Sequence, residues 1–294
     1  MNQLKGSLNR KPGRKKTLSM KERAGVLYLS FDLLESCKLV RHGFSTRLGG
    51  VSTGDCASMN LGFSRGDDEA HVRENYRRIG EALELPVERM VLSRQTHTTN
   101  VRVVTEEDAG NGIVRPLPYT DVDGLVTNVP ELPLVTFYAD CVPLYFVDPV
   151  HKAIGLSHSG WRGTVGRMGA ETLRVMKEAY GTRPEEVLAC IGPSICQDCY
   201  EVSLDVAEEF RAAFGEKADR LLLREKPDEK FQLDLWEANR QILLEAGICK
   251  EHLAVTDLCT CCNPELLFSH RASHGRRGNL AAFLCLNGEF IKKE

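Results

Sequence analysis

The stretch Leu134-Val-Thr-Phe-Tyr-Ala-Asp-Cys-Val-Pro-Leu-Tyr-Phe-Val-Asp148, running on into Ala153-Ile-Gly-Leu-Ser-His-Ser-Gly-Trp-Arg-Gly163, decides how the chain is read. Its two apolar runs, rich in Val, Phe, Tyr and Ile, have the length of buried strands. Each carries a residue that can bind a metal or attack a carbon, Cys141 in the first and His158 in the second. Polar residues gather where the runs stop, and strand ends are where an α/β protein usually collects its chemistry. Thr164 to Tyr180 follows as a helix with Val165, Met168, Leu173 and Met176 as apolar markers and Gly181 as its stop. The amides from Gly160 to Val165, together with Arg162, form a candidate anion cradle at the start of that helix.

Working outward, 294 residues with 42% hydrophobic content suffice for a substantial core. No apolar run reaches membrane-span length and the start has no apolar export region, so a cytoplasmic protein without a membrane partner is expected. Eleven cysteines, an odd number in a long chain, favour reduced thiols over a disulfide framework. Residues 1 to 23 hold eight Lys or Arg against Glu22, a net of +7 in a chain whose total is −3. Residues 1–24 therefore read as a basic disordered tail and 25–294 as the folded domain, with nucleic acid not the expected partner of the tail.

Strand-like segments recur at Val26 to Leu29, around Lys38 to Phe44, on both sides of His97, at Asp123 to Thr127, Val187 to Gly192, Ala254 to Leu258 and Asn279 to Leu286. Helical periodicity marks Asp67 to Leu83, Ser203 to Phe214 and Asp234 to Ala246. Strands alternating with helices, with no repeat or internal linker, describe one α/β domain.

His97, Cys141 and His158 each lie at or near a strand end beside small or polar neighbours. Three protein ligands with an open fourth position describe a catalytic zinc that activates water. The same residues suit Cys141 as a thiolate nucleophile with a histidine as base, and spacing does not separate the two. Asp140, next to the thiol, is a candidate proton shuttle or histidine-orienting group. Arg47, beside Gly49-Gly50, suits an anion. Cys196-x-x-Cys199 with Cys259, Cys261 and Cys262 has short thiol spacings typical of zinc, but about sixty residues separate the groups, so buried or loop thiols are the plainer reading.

His42-Gly-Phe-Ser-Thr-Arg-x-Gly-Gly-Val-Ser52, Gln95-x-His97, Asp123-Gly-Leu, Ala139-Asp-Cys141, His158-x-Gly-Trp-Arg-Gly163, Ile191-Gly-Pro-Ser-Ile, and Cys259-Thr with Phe268-Ser-x-Arg271 together resemble the YfiH-type family, from about residue 25 to the end. Its members are labelled polyphenol oxidase or laccase-like, peptidoglycan editing factor, and purine nucleoside phosphorylase. The resemblance implies a single-domain three-layer α/β/β sandwich and a metal site on His97, Cys141 and His158. It also implies zinc-supported phosphorolysis of adenosine, inosine, guanosine and S-methyl-5'-thioadenosine, plus adenosine deamination.

For these reactions Arg47, Arg162 and Arg271 are candidates to hold phosphate, Asn60 to grip ribose or base, and Asp140 to move protons. With eight histidines and no His-x-His pair, a multicopper cluster is not expected, although copper can occupy the zinc ligands adventitiously. A cysteine amidase acting on cell-wall precursors and a nucleic-acid-binding module are the alternatives.

Overall fold

In a computed structural model of the chain, which describes residues 8–224 and 229–291, two six-stranded sheets carry the architecture. The first runs, edge to edge, through Leu18–Arg23, Val26–Phe31, Val40–Ser45, Leu280–Leu286, Leu134–Tyr138 and Val91–Leu92. The second runs through Leu253–Val255, Leu188–Ile191, Val142–Asp148, Ala153–Ser159, Gly124–Thr127 and Val101–Val103. A three-stranded sheet of Glu201–Val202, Phe231–Leu233 and Leu222–Arg224 stands apart. No helix among the described residues is long and apolar enough to cross a membrane.

The inner faces of the two large sheets meet in one apolar cluster, where Phe44, Leu134, Tyr138 and Leu284 face Leu125, Tyr145, Ile154 and Leu156. Their alternate residues point outward, as the two-residue period of a strand requires. On the second sheet that outer face packs against the helices Met168–Tyr180, Leu204–Phe214 and Leu235–Glu245 through Leu173, Met176, Phe210, Ile242 and Leu243. On the first sheet it packs against Glu69–Leu83 through Val72, Tyr76, Ile79 and Leu83, the face expected from periodicity. The α/β class and single domain are as expected, with this one helix added outside the first sheet.

The run that decides the fold does not form one strand. Leu134–Tyr138 belongs to the first sheet and Val142–Asp148 to the second, so Ala139-Asp140-Cys141 is the crossing between them. Asp140 makes the turn with φ of 94°, a conformation costly for a residue with a Cβ. The helix expected from Thr164 to Tyr180 is also two pieces, Trp161–Val165 and Met168–Tyr180, because Arg167 at φ of 60° interrupts it. A five-residue first piece has little dipole to offer, so the anion cradle at its start loses its physical basis.

The described part of residues 1–24 is not a disordered tail, a correction with a clear electrostatic cause. Leu18–Arg23 pairs antiparallel with Val26–Phe31, and Leu18 is fully buried. Upstream, Arg10 Nη1 meets Asp257 at 2.6 Å, Lys11 Nζ meets Asp198 at 2.7 Å and Arg14 Nη2 meets Asp234 at 3.1 Å. Arg10, Lys11 and Arg14 are thus engaged by the domain's own acids, so residues 10–23 lie against the domain rather than forming the free arm that a nucleic-acid-binding reading needs.

Two stability predictions follow from buried polar groups. Arg10 is the partner of Asp257, whose side chain is only 2% exposed and whose Oδ1 is unpaired. Arg10→Met is expected to cost about 3 kcal/mol in urea unfolding, the lower end for breaking a buried pair. His42 lies between Phe31 and Tyr145 and accepts the Phe31 N–H on Nε2 at 2.9 Å. Burial pushes its pKa down from 6.5 to about 4. The folded state therefore resists protonation, so this contribution is full above about pH 6.5 and is lost as pH falls toward 4. It amounts to about 3 kcal/mol. Unfolding at pH 7 and pH 4 should show the wild type losing that much more than His42→Gln.

Candidate active site and metal centre

Two chain crossings, both leading from the first sheet to the second, place the chemistry at one end of the sandwich. The Ala139-Asp140-Cys141 crossing delivers the thiol. The loop from Val91–Leu92 to Val101–Val103 delivers His97, itself at φ of 68°. His158 comes from the adjoining strand, whose register pairs Pro143 with His158 and Val142 with Ser159 and so sets Cys141 beside the imidazole. Ligand atoms of His97, Cys141 and His158 lie within 4.8 Å of one another, and the two imidazoles meet edge to face at 5.0 Å. His158 is buried, Cys141 half-buried and His97 exposed, so the triad faces outward on one side.

Asp123 organises this geometry. It is fully buried and accepts from the amides of Thr96 (2.8 Å), His97 (3.1 Å) and Thr98 (3.2 Å), which holds the loop in place. Its Oδ1 also lies 2.8 Å from His158 Nδ1. A carboxylate only accepts, so Nδ1 carries the proton and Nε2 is left for the centre. Burial would raise the Asp123 pKa, but His158 and the loop amides hold it below the usual range.

The electrostatics of the triad match. Burial alone would push the Cys141 thiol up, yet the His158 charge and hydrogen bonds from both histidines bring it down to about 6. Burial would lower His158, but Cys141 and Asp123 bring it up to about 9. With an ion in place of the His158 Nε2 proton, a thiolate and two imidazoles would be a donor set that suits zinc or copper. Gly160 leaves the space: a Cβ there would stand 3.1 Å from Cys141 Sγ and 3.2 Å from the His97 ring. The three residues thus fit a resident metal.

The remaining sequence candidates fare differently. Asp140 Oδ1 accepts from the Thr260 hydroxyl at 2.6 Å and Oδ2 from the Arg271 amide at 2.7 Å. Asp140 is tied into the loop scaffold, and Asp123, not Asp140, orients a histidine.

Asn60 is fully buried, with its amide donating to Gly62 and Asp67 and its oxygen accepting from Gly62 and Asn279. That full commitment corrects its expected role in gripping substrate. Arg271 donates its terminal nitrogens to the carbonyls of Cys199 and Glu201, a bracing role rather than a phosphate grip. Arg47 donates to the carbonyls of Ala57 and Pro264 and stacks on Phe268. Arg162 is exposed over Trp161, 4.2 Å from the ring centroid, and among the described residues it donates no hydrogen bond.

A cleft of about 180 Å³ opens among Arg47, Phe268, Ser269, Ser273, Arg276 and Arg277. Burial and the charge of Arg65 lower the Arg277 pKa to about 10, against the pull of Asp140 and Cys141, and its Nε is buried without a partner. Tyr200, with Arg271 over its ring, also feels the charges of Cys141, Asp140 and Arg162. Sequence reading missed Asp123, Tyr200 and Arg277 as site residues. Only Asp123 left a signal, in the Asp123-Gly-Leu motif.

An α/β sandwich with a two-histidine, one-cysteine centre at its sheet crossings defines the class of protein. Residues 41–287 match the family model described as multi-copper polyphenol oxidoreductase laccase. The chain is 38% identical over 245 residues to "Purine nucleoside phosphorylase YlmD" of Geobacillus stearothermophilus, covering 82% of this chain and 88% of that one. It is 34% identical over 230 residues to "Adenosine deaminase RL5" of an unknown prokaryotic organism, covering 78% and 87%. The crystal structure of Bacillus licheniformis hypothetical protein YfiH superposes with a TM-score of 0.85 at 34% identity, covering 91% of this chain and 99% of that one. The chain belongs to this YfiH-type family.

Asp123→Asn should weaken metal binding about 10- to 100-fold, the usual cost of losing a partner that orients a ligand. Competition with a chromogenic chelator on the purified variant measures it. Unchanged affinity would show that the Asp123 link is not needed.

Proposed function

We propose that this chain is a zinc-dependent purine nucleoside phosphorylase acting on adenosine, inosine, guanosine and S-methyl-5'-thioadenosine, with adenosine deaminase activity. The observation that carries the reading is the convergence of His97, Cys141 and His158 within 4.8 Å, with the Cys141 charge acting on Arg277 of the arginine-lined cleft. Relatives named purine nucleoside phosphorylase and adenosine deaminase support the substrate class. Zinc held by the three residues would supply Lewis acidity on the exposed side of the triad.

The chain's own residues supply the rest. Asp123 fixes the proton of His158 on Nδ1, so the ring cannot turn away from Cys141. Arg276 and Arg277 line a cleft whose charge suits phosphate, while Arg47, with its nitrogens committed to the Ala57 and Pro264 carbonyls, forms part of the wall. Holding phosphate against the ribose turns a two-molecule encounter into a positioned attack. The arginines displace the expected Arg271 from that role. Arg162, free over Trp161, remains a candidate for closing on substrate. Asp140 keeps the Cys141 turn in shape through Thr260 and Arg271.

A second reading rests on the in-line order Asp123, His158, Cys141, which is also the arrangement of a cysteine hydrolase such as an amidase on cell-wall precursors. The two differ in what Cys141 touches. Stoichiometric zinc lost on Cys141→Ala supports the phosphorylase. A metal-free enzyme alkylated at Cys141 supports the hydrolase.

Incubation with adenosine and phosphate, following adenine, hypoxanthine, inosine and ribose 1-phosphate, tests the activity. His97→Ala and His158→Ala are expected to lose at least about 100-fold of both phosphorolysis and deamination, the scale of losing a key electrostatic group. Full turnover by either variant would rule the proposal out.

A further inference from the structure

On the far side of Asp140 from Cys141, the two cysteine groups that looked too distant to share an ion come together, and the reason lies in the second sheet. Leu188–Ile191 and Leu253–Val255 are parallel neighbours, so the chain leaves both in the same direction. Ser194 and Cys259 bridge in parallel just beyond them, and the Thr260 amide donates to the Ser194 carbonyl at 3.1 Å. The turns that follow bring Cys196, Cys199, Cys259 and Cys262 face to face, with their sulfur atoms within 4.8 Å of one another. This corrects the reading of these residues as unrelated buried or loop thiols.

We propose that Cys196, Cys199, Cys259 and Cys262 hold a structural zinc ion, distinct from the His97 centre. Zinc with four thiolates at about 2.3 Å makes a tetrahedron with sulfur-to-sulfur edges of about 3.8 Å. Cys262 Sγ already stands 3.4 Å from Cys199 Sγ and 4.0 Å from Cys196 Sγ. So tight a spread suits one ion rather than a larger iron–sulfur cluster. The amides of Cys196 and Cys262 donate to Cys259 Sγ at 3.2 and 3.4 Å, which directs two N–H dipoles at a sulfur that must carry negative charge. Four thiolates leave the ion with net negative charge. Lys11, held at 2.7 Å by Asp198, stands beside Cys196 and offsets part of it.

The knot also has a place in the architecture of the catalytic end. Thr260, between two of its cysteines, donates to Asp140 Oδ1, and Arg271 links the Cys199 carbonyl to Asp140 Oδ2 through its side chain and its amide. One oxygen of the residue before Cys141 is therefore held from within a segment that the ion would clamp, and the other by Arg271, which is braced on the Cys199 carbonyl. The four cysteines are positioning residues in this sense and do not touch substrate.

Metal content of the full chain, purified without chelator under reducing conditions, tests the proposal. The His97→Ala/His158→Ala double variant, whose cysteines are intact, is expected to retain one zinc per chain. After exchange with cobalt, it should show the intense sulfur-to-cobalt charge-transfer absorption of a tetrathiolate site. Cys199→Ser/Cys262→Ser should lose that signal and that equivalent. Because the decisive sample keeps all four thiols, a poorly folding cysteine variant does not blunt the test. A single equivalent in both wild type and histidine variant supports the knot and defeats the zinc reading of the His97 centre. A histidine variant without zinc, with iron in its place, or with a Cys199–Cys262 disulfide overturns the proposal.

Discussion

One buried carboxylate sets the geometry on which the rest depends. Asp123 sits at the start of a strand in the second sheet, out of contact with water, and satisfies its charge with three consecutive loop amides and the His158 Nδ1 proton. A charge taken out of water is tolerated only when fully paired, so the loop and the imidazole are held to it as firmly as it is to them. His97 can then occupy a left-handed conformation that it would not keep in a free loop. The cost of bending the chain at the site is offset by hydrogen bonds to a single residue.

The sandwich explains why such a residue is needed. Two sheets packed face to face need few connections between them, and here two such crossings fall at the same end of the strands. Each carries one ligand, and each passes through a non-glycine residue with positive φ, Asp140 in one and His97 in the other. Catalytic groups placed on crossings are positioned by both sheets, but only if the crossings themselves are rigid. Asp123 fixes one. Thr260 and Arg271 fix the other through Asp140.

What was legible in the sequence divides along the same line. Local patterns were readable because one physical rule decides each: the apolar face of Glu69–Leu83, and the Asp234 cap accepting from the Glu237 amide, both stand where periodicity and capping put them. His97, Cys141 and His158 were legible as residue types near strand ends, and by family resemblance as a set. Contacts between distant segments were not. Nothing near Asn60 tells that Asn279 will complete its hydrogen bonding, and nothing in Arg10, Lys11 or Arg14 names Asp257, Asp198 or Asp234 as partners. A run of positive charge reads as a solvated tail until the acids that neutralise it are known.

The apolar run Leu134 to Asp148 shows why even a correct strand assignment can hide the decisive feature. Hydrophobicity is nearly continuous across it, since both halves are buried, and burial alone does not tell which sheet a residue joins. The break is marked only by Asp140, a polar residue where an apolar one would continue the strand. Its carboxylate was legible as chemistry, but its backbone does more: by turning at φ of 94° it hands the chain from one sheet to the other and leaves Cys141 at the mouth beside His158. A side chain chosen for such a turn must accept hydrogen bonds from the loops around it, which is what Thr260 and Arg271 provide. Polar residues at sheet crossings therefore serve first to make the bend possible, and the reactive group follows from where the bend leaves its neighbour.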